Sequence, residues 1–263
     1  MTMPLDDRGL LLGDGLFETI LAIDGDLVLF DRHIERLRAG CAYLDLPRPD
    51  AEATRKLCEL ALGDTGMTSG RVAVRLTLTA GSGGRGLDRP EATEPHVFAT
   101  VSRAPRPEGS IGLWTATVRR NQHSPTSRLK TLSYLDNVLA RREAAPSEAL
   151  MLNTDGVVAC AAAANVFWIT DGRLFTPALD CGVLDGVMRR EVLNRAAAFG
   201  LSVREGHFPP TAIAEAEAVF ITNSLIGVRR VHWFDGSDMP GLPLVQELGD
   251  TIARELGDLS STS

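Results

Sequence analysis

Only two of the 27 basic residues in this 263-residue chain are lysines, Lys56 and Lys130; the others are arginines. Arginine stays protonated under all ordinary conditions, whereas lysine can lose its proton, act as a base and condense with a carbonyl. A lysine kept in so arginine-rich a chain is therefore a candidate for that chemistry. Lys56 falls in Ala-Glu-Ala-Thr-Arg-Lys-Leu-Cys-Glu-Leu, a helical pattern with its charges on one side, and reads as a solvated surface residue. Lys130 falls in Thr-Ser-Arg-Leu-Lys-Thr-Leu-Ser, between a polar loop and an apolar helix, and is the stronger candidate.

Other chemistries find less support. The four cysteines, Cys41, Cys58, Cys160 and Cys181, form no C-x-x-C pair and are too few for a disulfide framework. The five histidines are scattered, without H-E-x-x-H or zinc-type Cys/His spacing, so no metal is expected. There is no G-x-S-x-G elbow and no P-loop. Anion-binding candidates do exist. Gly81-Ser82-Gly83-Gly84-Arg85-Gly86 is a glycine-rich loop; Asp185-Gly186-Val187-Met188-Arg189 opens a helix whose free N–H groups suit a phosphate; Thr222-Asn223-Ser224 offers hydroxyls and amides in a turn. Arg36, on the first long helix, can add charge.

The elements that must position these residues fall into two groups. Leu16–Ile23 and Asp26–Phe30 read as strands around the Asp24-Gly25 turn, followed by a helix capped by Asp31 with Ile34, Leu37, Cys41 and Leu44 on one face. A second helix is expected over residues 50–62, and strands over 71–80 and 96–102. The Pro-bearing segment 104–110 reads as a linker between a smaller domain, residues 1–103, and a larger one, residues 111–263. In the larger domain a strand is expected over 111–118, a polar loop over 119–129 and a helix over 133–144. An antiparallel meander over 148–152, 157–162 and 165–170 follows, then a helix over 186–199, strands over 218–222 and 226–233, and a last helix over 242–256. This order predicts an α+β protein in two domains, not a Rossmann sheet.

Composition agrees with a globular protein: 44% apolar and 23% charged residues allow a sizeable core. A net charge of −7 argues against nucleic acid and for a small-molecule partner. The longest apolar stretch, residues 157–169, is too short to span a bilayer, and the first residues lack a secretion-signal pattern, so no membrane association and a cytoplasmic location are expected.

Taken in order, Gly13-Asp14-Gly15-Leu16-Phe17-Glu18-Thr19, His33-Ile34-Glu35-Arg36-Leu37, the glycine loop at 81–86, Leu129-Lys130-Thr131-Leu132, Ala164-Asn165-Val166-Phe167 and Leu174-Phe175-Thr176-Pro177 resemble the fold-type IV pyridoxal-phosphate enzymes. These include branched-chain and D-amino-acid aminotransferases and 4-amino-4-deoxychorismate lyase. The resemblance implies a two-domain fold with pyridoxal 5'-phosphate in the interdomain crevice of a homodimer, acting on an amine or amino acid and a keto acid or ketone. It matches Lys130 to the lysine that forms the cofactor aldimine and moves the α-proton. Arg36 matches the arginine on the cofactor phosphate, with the Val187 and Met188 amides and the Asn223-Ser224 turn completing the anion cup. The lyase, which eliminates pyruvate to give 4-aminobenzoate, is the alternative to amino transfer.

Four departures bear on the reaction. The resemblance places a glutamate against the pyridine nitrogen where this chain has Cys160, a weaker partner unless ionised. Ala80 and Leu87 flank the glycine loop where typical lyases carry Arg and Tyr, and Ser133 stands where Asn is common. Tyr134 is one residue short of a tyrosine that in some members touches the ring.

Overall fold

The alternating apolar residues near the start of the chain build a four-stranded antiparallel sheet backed by two helices. In the computed structural model, which describes residues 3–83 and 86–258, the chain divides into two compact units. One comprises Met1–Arg106 with Leu129–Tyr134, the other Pro107–Arg128 with Leu135–Ser263. Lys130, expected beyond the 104–110 linker, therefore clusters with the first unit. Gly84 and Arg85 of the glycine loop lie outside the described residues.

The first unit runs α1 (Arg8–Leu12), β1 (Gly15–Ile23), β2 (Asp26–Leu27), α2 (Phe30–Tyr43), α3 (Ala51–Thr65), β3 (Arg71–Thr79) and β4 (His96–Arg103), with sheet order β2-β1-β3-β4. β1 and β3 pair from Gly15↔Thr79 to Ile23↔Arg71. Because side chains alternate along a strand, Leu16 and Ile20 share a face with Val74, Leu76 and Leu78, and this face packs on Ile34 and Leu37 of α2 and Leu62 of α3. Phe17 and Arg75 fall on the opposite face. The expected strand over 26–30 is cut short at Leu27: Leu29 takes a left-handed φ of 52°, and Phe30 turns inward as the first helical residue. Leu29, not Asp31, is thus the N-cap, and Asp31 sits in the first turn. Burying Phe30, worth about 1.5–3 kcal/mol, offsets the strain at Leu29.

The motif Asp7-Arg8 explains how the glycine loop is held. Asp7 caps α1 by accepting from the Gly9 and Leu10 amides, and also accepts from Thr79 and pairs with His96 at 2.7 Å each. The Arg8 guanidinium pairs with Asp14 and donates to the carbonyls of Gly86, Leu87 and Asp88.

The second unit contains β5 (Ile111–Thr115), α4 (Leu135–Ala144), β6 (Glu148–Leu152), β7 (Val158–Ala161), β8 (Asn165–Thr170), β9 (Arg173–Pro177), α5 (Val187–Arg195), β10 (Ser202–Gly206), α6 (Thr211–Ala214), β11 (Ala218–Asn223), β12 (Gly227–Phe234), β13 (Ser237–Asp238) and α7 (Pro243–Glu255). The sheet order is β10-β9-β8-β11-β12-β5-β6-β7, with β13 on β12. The pairs β10/β9, β12/β5 and β5/β6 are parallel. The expected meander is therefore corrected: β6 and β7 pair antiparallel, but both edges of β8 are taken by β9 and β11. Phe167, Ile169 and Phe220 face α5 and α7, where Val192, Leu248 and Ile252 cover them. The α+β class holds, with a mixed sheet in place of a Rossmann one. Among the described residues no helix is long and apolar enough to cross a membrane.

Candidate active site

Lys130 is fixed by backbone pairing to the start of β1. The Phe17 amide donates to the Lys130 carbonyl at 2.9 Å, the Leu132 amide donates to the Gly15 carbonyl at 3.0 Å, and Leu16 bridges Thr131. Its amine lies 4.2 Å from the centre of the Phe17 ring and 3.4 Å from the Tyr134 hydroxyl. The two rings meet edge to face, 5.0 Å apart. Tyr134, one place out of register by sequence, thus reaches the lysine because the 129–134 segment follows β1. An amine backed by two aromatic faces can move only toward its open side, which is the geometry for a nucleophile or base with one direction of approach.

Arg75 stands on the same sheet face. Its guanidinium carbon lies 3.7 Å from the Phe17 ring centre, so Phe17 carries two cations. Burial lowers the Arg75 pKa, against the opposing pull of Tyr134. Among the described residues Arg75 has no carboxylate partner, whereas Arg8, Arg36, Arg55 and Arg89 of the same unit each pair with one. Alternation along β3 was the signal that could have paired Arg75 with Phe17.

Arg36 projects from α2 to the helix-covered side of β1, where Glu18 meets it. The Arg36 Nε donates to Glu18 Oε1 at 2.8 Å and Nη2 to Oε2 at 2.5 Å, a bidentate clamp that fixes the guanidinium plane. His33 Nδ1 lies 2.7 Å from Glu18 Oε2. Glu18 and His33 side chains are each 1% exposed. Burial alone would raise the Glu18 pKa, but the charge and hydrogen bonds of Arg36, with His33, bring it down to about 2. Burial holds the His33 pKa below its ordinary value despite Glu18, so His33 is neutral and its Nδ1 carries the proton donated to the carboxylate. The sequence singles out Arg36 as a phosphate partner, and the structure shows what orients it; Glu18 and His33 lie in the same motifs and carry no role in the sequence reading.

In the second unit, α5 opens at Gly186 with no side-chain cap and no acidic residue in its first turn. The Val187 and Met188 amides belong to the helix start, where N–H groups lack intrahelical acceptors. Asn165, at the start of β8, donates to the Leu184 carbonyl at 2.9 Å, and its Oδ1 would lie 2.0 Å from a Cβ placed on Gly186. Thr222 pairs with Asn165 across β11 and β8, so both side chains face α5. The Thr222 hydroxyl is buried and has no hydrogen-bond partner among the described residues. A buried orphan hydroxyl beside an uncapped helix start is what an anion would satisfy.

Asn223 shapes its own turn: its Nδ2 donates to the Ala163 carbonyl and its Oδ1 accepts the Leu225 and Ile226 amides, which fixes the backbone around Ser224. Cys160, on β7, is buried opposite Met151 in an alanine-lined cluster. Burial raises its thiol pKa, opposed by Arg120 and reinforced by Glu148, so the thiol is protonated.

The chain is similar to proteins of known kind. The amino-transferase class IV family model matches residues 15–233. The aminodeoxychorismate lyase of Bacillus subtilis is 34% identical over 84% of this chain and 78% of its own length. A D-alanine aminotransferase of Listeria monocytogenes is 30% identical over 97% of this chain and 91% of its own. The crystal structure of 4-amino-4-deoxychorismate lyase from Pseudomonas aeruginosa superposes with a TM-score of 0.88 at 32% identity, covering 98% of this chain and 97% of that one.

Proposed function

The chain belongs to the amino-transferase class IV family, and from that membership and the Lys130 geometry we propose that it is a pyridoxal-phosphate-dependent transaminase. It moves an amino group between an amine or amino acid and a keto acid or ketone. The observation that carries this reading is the placement of Lys130, its amine held against Phe17 and Tyr134 by strand-like pairing to β1. When bound, pyridoxal phosphate supplies an aldehyde that condenses with amines and a ring that draws electrons from the carbon bearing the nitrogen.

The residues present fit that group. In the first unit Lys130 would provide the amine for the aldehyde and would be the group that moves the proton at the substrate α-carbon. Arg36, oriented by Glu18, contributes charge to the phosphate. The second unit, taken by itself, offers a phosphate neutral donors in the Val187 and Met188 amides, the Thr222 hydroxyl and the Ser224 turn, and the Thr222 hydroxyl, without a partner among the described residues, is the observation that favours a ligand there. Arg75 is suited to a substrate carboxylate, being a cation on the ring that Lys130 also touches, with no carboxylate partner among the described residues. Cys160, a protonated thiol, would support the ring nitrogen less than a carboxylate does. Cys160→Glu is expected to speed the half-reaction with an amine donor, and an unchanged rate and cofactor spectrum would show that the thiol does not serve the ring.

The second reading, 4-amino-4-deoxychorismate lyase, is favoured by the two lyases at 34% and 32% identity. Ala80 and Leu87 beside the glycine loop weigh toward transfer. The protein as we read it is a cytoplasmic homodimer: its four cysteines are free thiols, and α1 exposes Leu10, Leu11 and Leu12 in a row, an apolar surface suited to a second copy.

The deciding experiment adds pyridoxal phosphate to the purified protein and follows its visible absorption on addition of D- or L-amino acids. Transfer predicts bleaching and a keto-acid product. A spectrum indifferent to amino acids, with pyruvate released from aminodeoxychorismate, supports the lyase. Lys130→Ala should abolish turnover in either case, and retained turnover would overturn the assignment.

A further inference from the structure

The ends of β9 and β10 bring together three groups that the reaction does not use. The two strands run parallel, Pro177 beside Gly206, and the Ala178 amide continues the pairing by donating to the Gly206 carbonyl at 3.0 Å. The chain then turns through Leu179–Cys181 on one side and passes His207 on the other. Asp180 Oδ1 and His207 Nε2 come within 2.9 Å, and the Cys181 sulfur lies 3.7 Å from the Gly206 carbonyl oxygen. One carboxylate oxygen, the thiol sulfur and one imidazole nitrogen all lie within 4.8 Å of one another.

We propose that Asp180, Cys181 and His207 form a site for a zinc-type divalent metal ion. Oxygen, nitrogen and sulfur donors in one cluster match the borderline-soft character of such ions, and bond lengths of about 2.0–2.3 Å would set neighbouring ligand atoms roughly 3–3.5 Å apart, a small contraction of this arrangement. Three protein ligands leave one position for water. On binding, the Cys181 S–H bond breaks, its proton passes to solvent and a sulfur–metal bond forms. The layout suits this order of events: the sulfur is buried at the base, while Asp180 and His207 are exposed at the rim and free to close over an ion.

Among the described residues this is the one such cluster of three potential ligands, and Cys181 differs from its counterparts. Cys41 and Cys58 pack within the apolar core of the first unit, and Cys160 lies among alanines. Sequence spacing gave no sign of the site because the ligands are joined by parallel strand pairing, not by a short motif. A bound ion would tie the turn at 179–181 to the end of β10. That turn leads through Gly182, whose carbonyl accepts from Arg120 at 3.1 Å, to the start of α5. The ion would therefore stabilise the segment that sets the α5 N-terminus.

The proposal stands on these three side chains alone and does not depend on the transaminase reading. Its test titrates the full-length protein with Co²⁺ as probe. The expected result is one equivalent bound, with visible ligand-field bands and a near-ultraviolet thiolate-to-cobalt charge-transfer band, both displaced by Zn²⁺. Cys181→Ser should remove the charge-transfer band. Because Cys181 is buried and that variant can fail by misfolding, His207→Gln, at an exposed position, is the second: cobalt affinity should fall by more than about tenfold with metal-free thermal unfolding unchanged. Absence of the charge-transfer band in the parent, or equal cobalt affinity in His207→Gln, would overturn the site.

Discussion

In the first unit the cation we propose for a phosphate is oriented by a buried carboxylate, whereas in the second the proposed donors are uncharged amides and a hydroxyl. Arg36 points as it does because Glu18 grips it at two atoms, and Glu18 is affordable as a buried anion only because Arg36 and neutral His33 both hydrogen-bond it. The start of α5 needs no such partner: Gly186, Asn165 and Thr222 create its shape by close packing and strand register. Charge held by charge depends on pH and fails steeply when one member is removed. Donors held by packing respond instead to volume.

The largest effect should follow from Glu18→Gln, which keeps the shape and removes the anion. Removing the anion from this buried pair should cost about 3–5 kcal/mol, read from denaturant unfolding; a loss below about 1 kcal/mol would show that the Glu18 charge does not hold the clamp together. The same variant tests the pH dependence. Glu18 has a pKa of about 2 in the folded protein against 4.5 for the ordinary group, so its stabilisation is complete above pH 4.5 and is lost as pH falls toward 2, a swing of about 3 kcal/mol. His33, whose folded pKa is also lowered, acts in the same direction from a higher starting point, because below about pH 6.5 the unfolded chain takes up a proton that the folded one refuses. Glu18→Gln should erase the lower limb of the acid profile.

This contrast also explains what the sequence disclosed. Lys130 stood out by residue type, Arg36 and the α5 start by local pattern, and most elements by periodicity, because each of those signals is contained within a few adjacent residues. Glu18, His33 and Arg75 act through cross-strand and strand-to-helix contacts that no local window contains. β10 was missed because it is an exposed edge strand with no apolar alternation to reveal it, and the β6–β7–β8 order was misjudged because pairing partners for the buried β8 are chosen from the whole sheet.

A smaller effect is expected in the packed donor site from Gly186→Ala. The backbone there has an ordinary φ of −70°, so the penalty is steric: the new methyl meets Asn165 Oδ1, whose amide is tethered to Leu184. Overpacking of this kind costs about 1–3 kcal/mol. Adding Asn165→Ala should recover part of the loss, and strictly additive effects in the double variant would show that the two residues do not share the contact.

The smallest change in stability should come from Thr222→Val, and this variant separates the two designs most cleanly. The valine has the same shape and removes a hydroxyl that is buried and unpartnered among the described residues, so folding without ligand should change by no more than about 0.5 kcal/mol and can improve. The affinity for pyridoxal phosphate should nevertheless fall about tenfold or more, the worth of a hydrogen bond to a charged group. Glu18→Gln predicts loss of both stability and affinity; Thr222→Val predicts loss of affinity alone. If Thr222→Val instead destabilises the ligand-free protein while leaving cofactor affinity intact, the hydroxyl belongs to the fold and the second unit's anion cup is built without it.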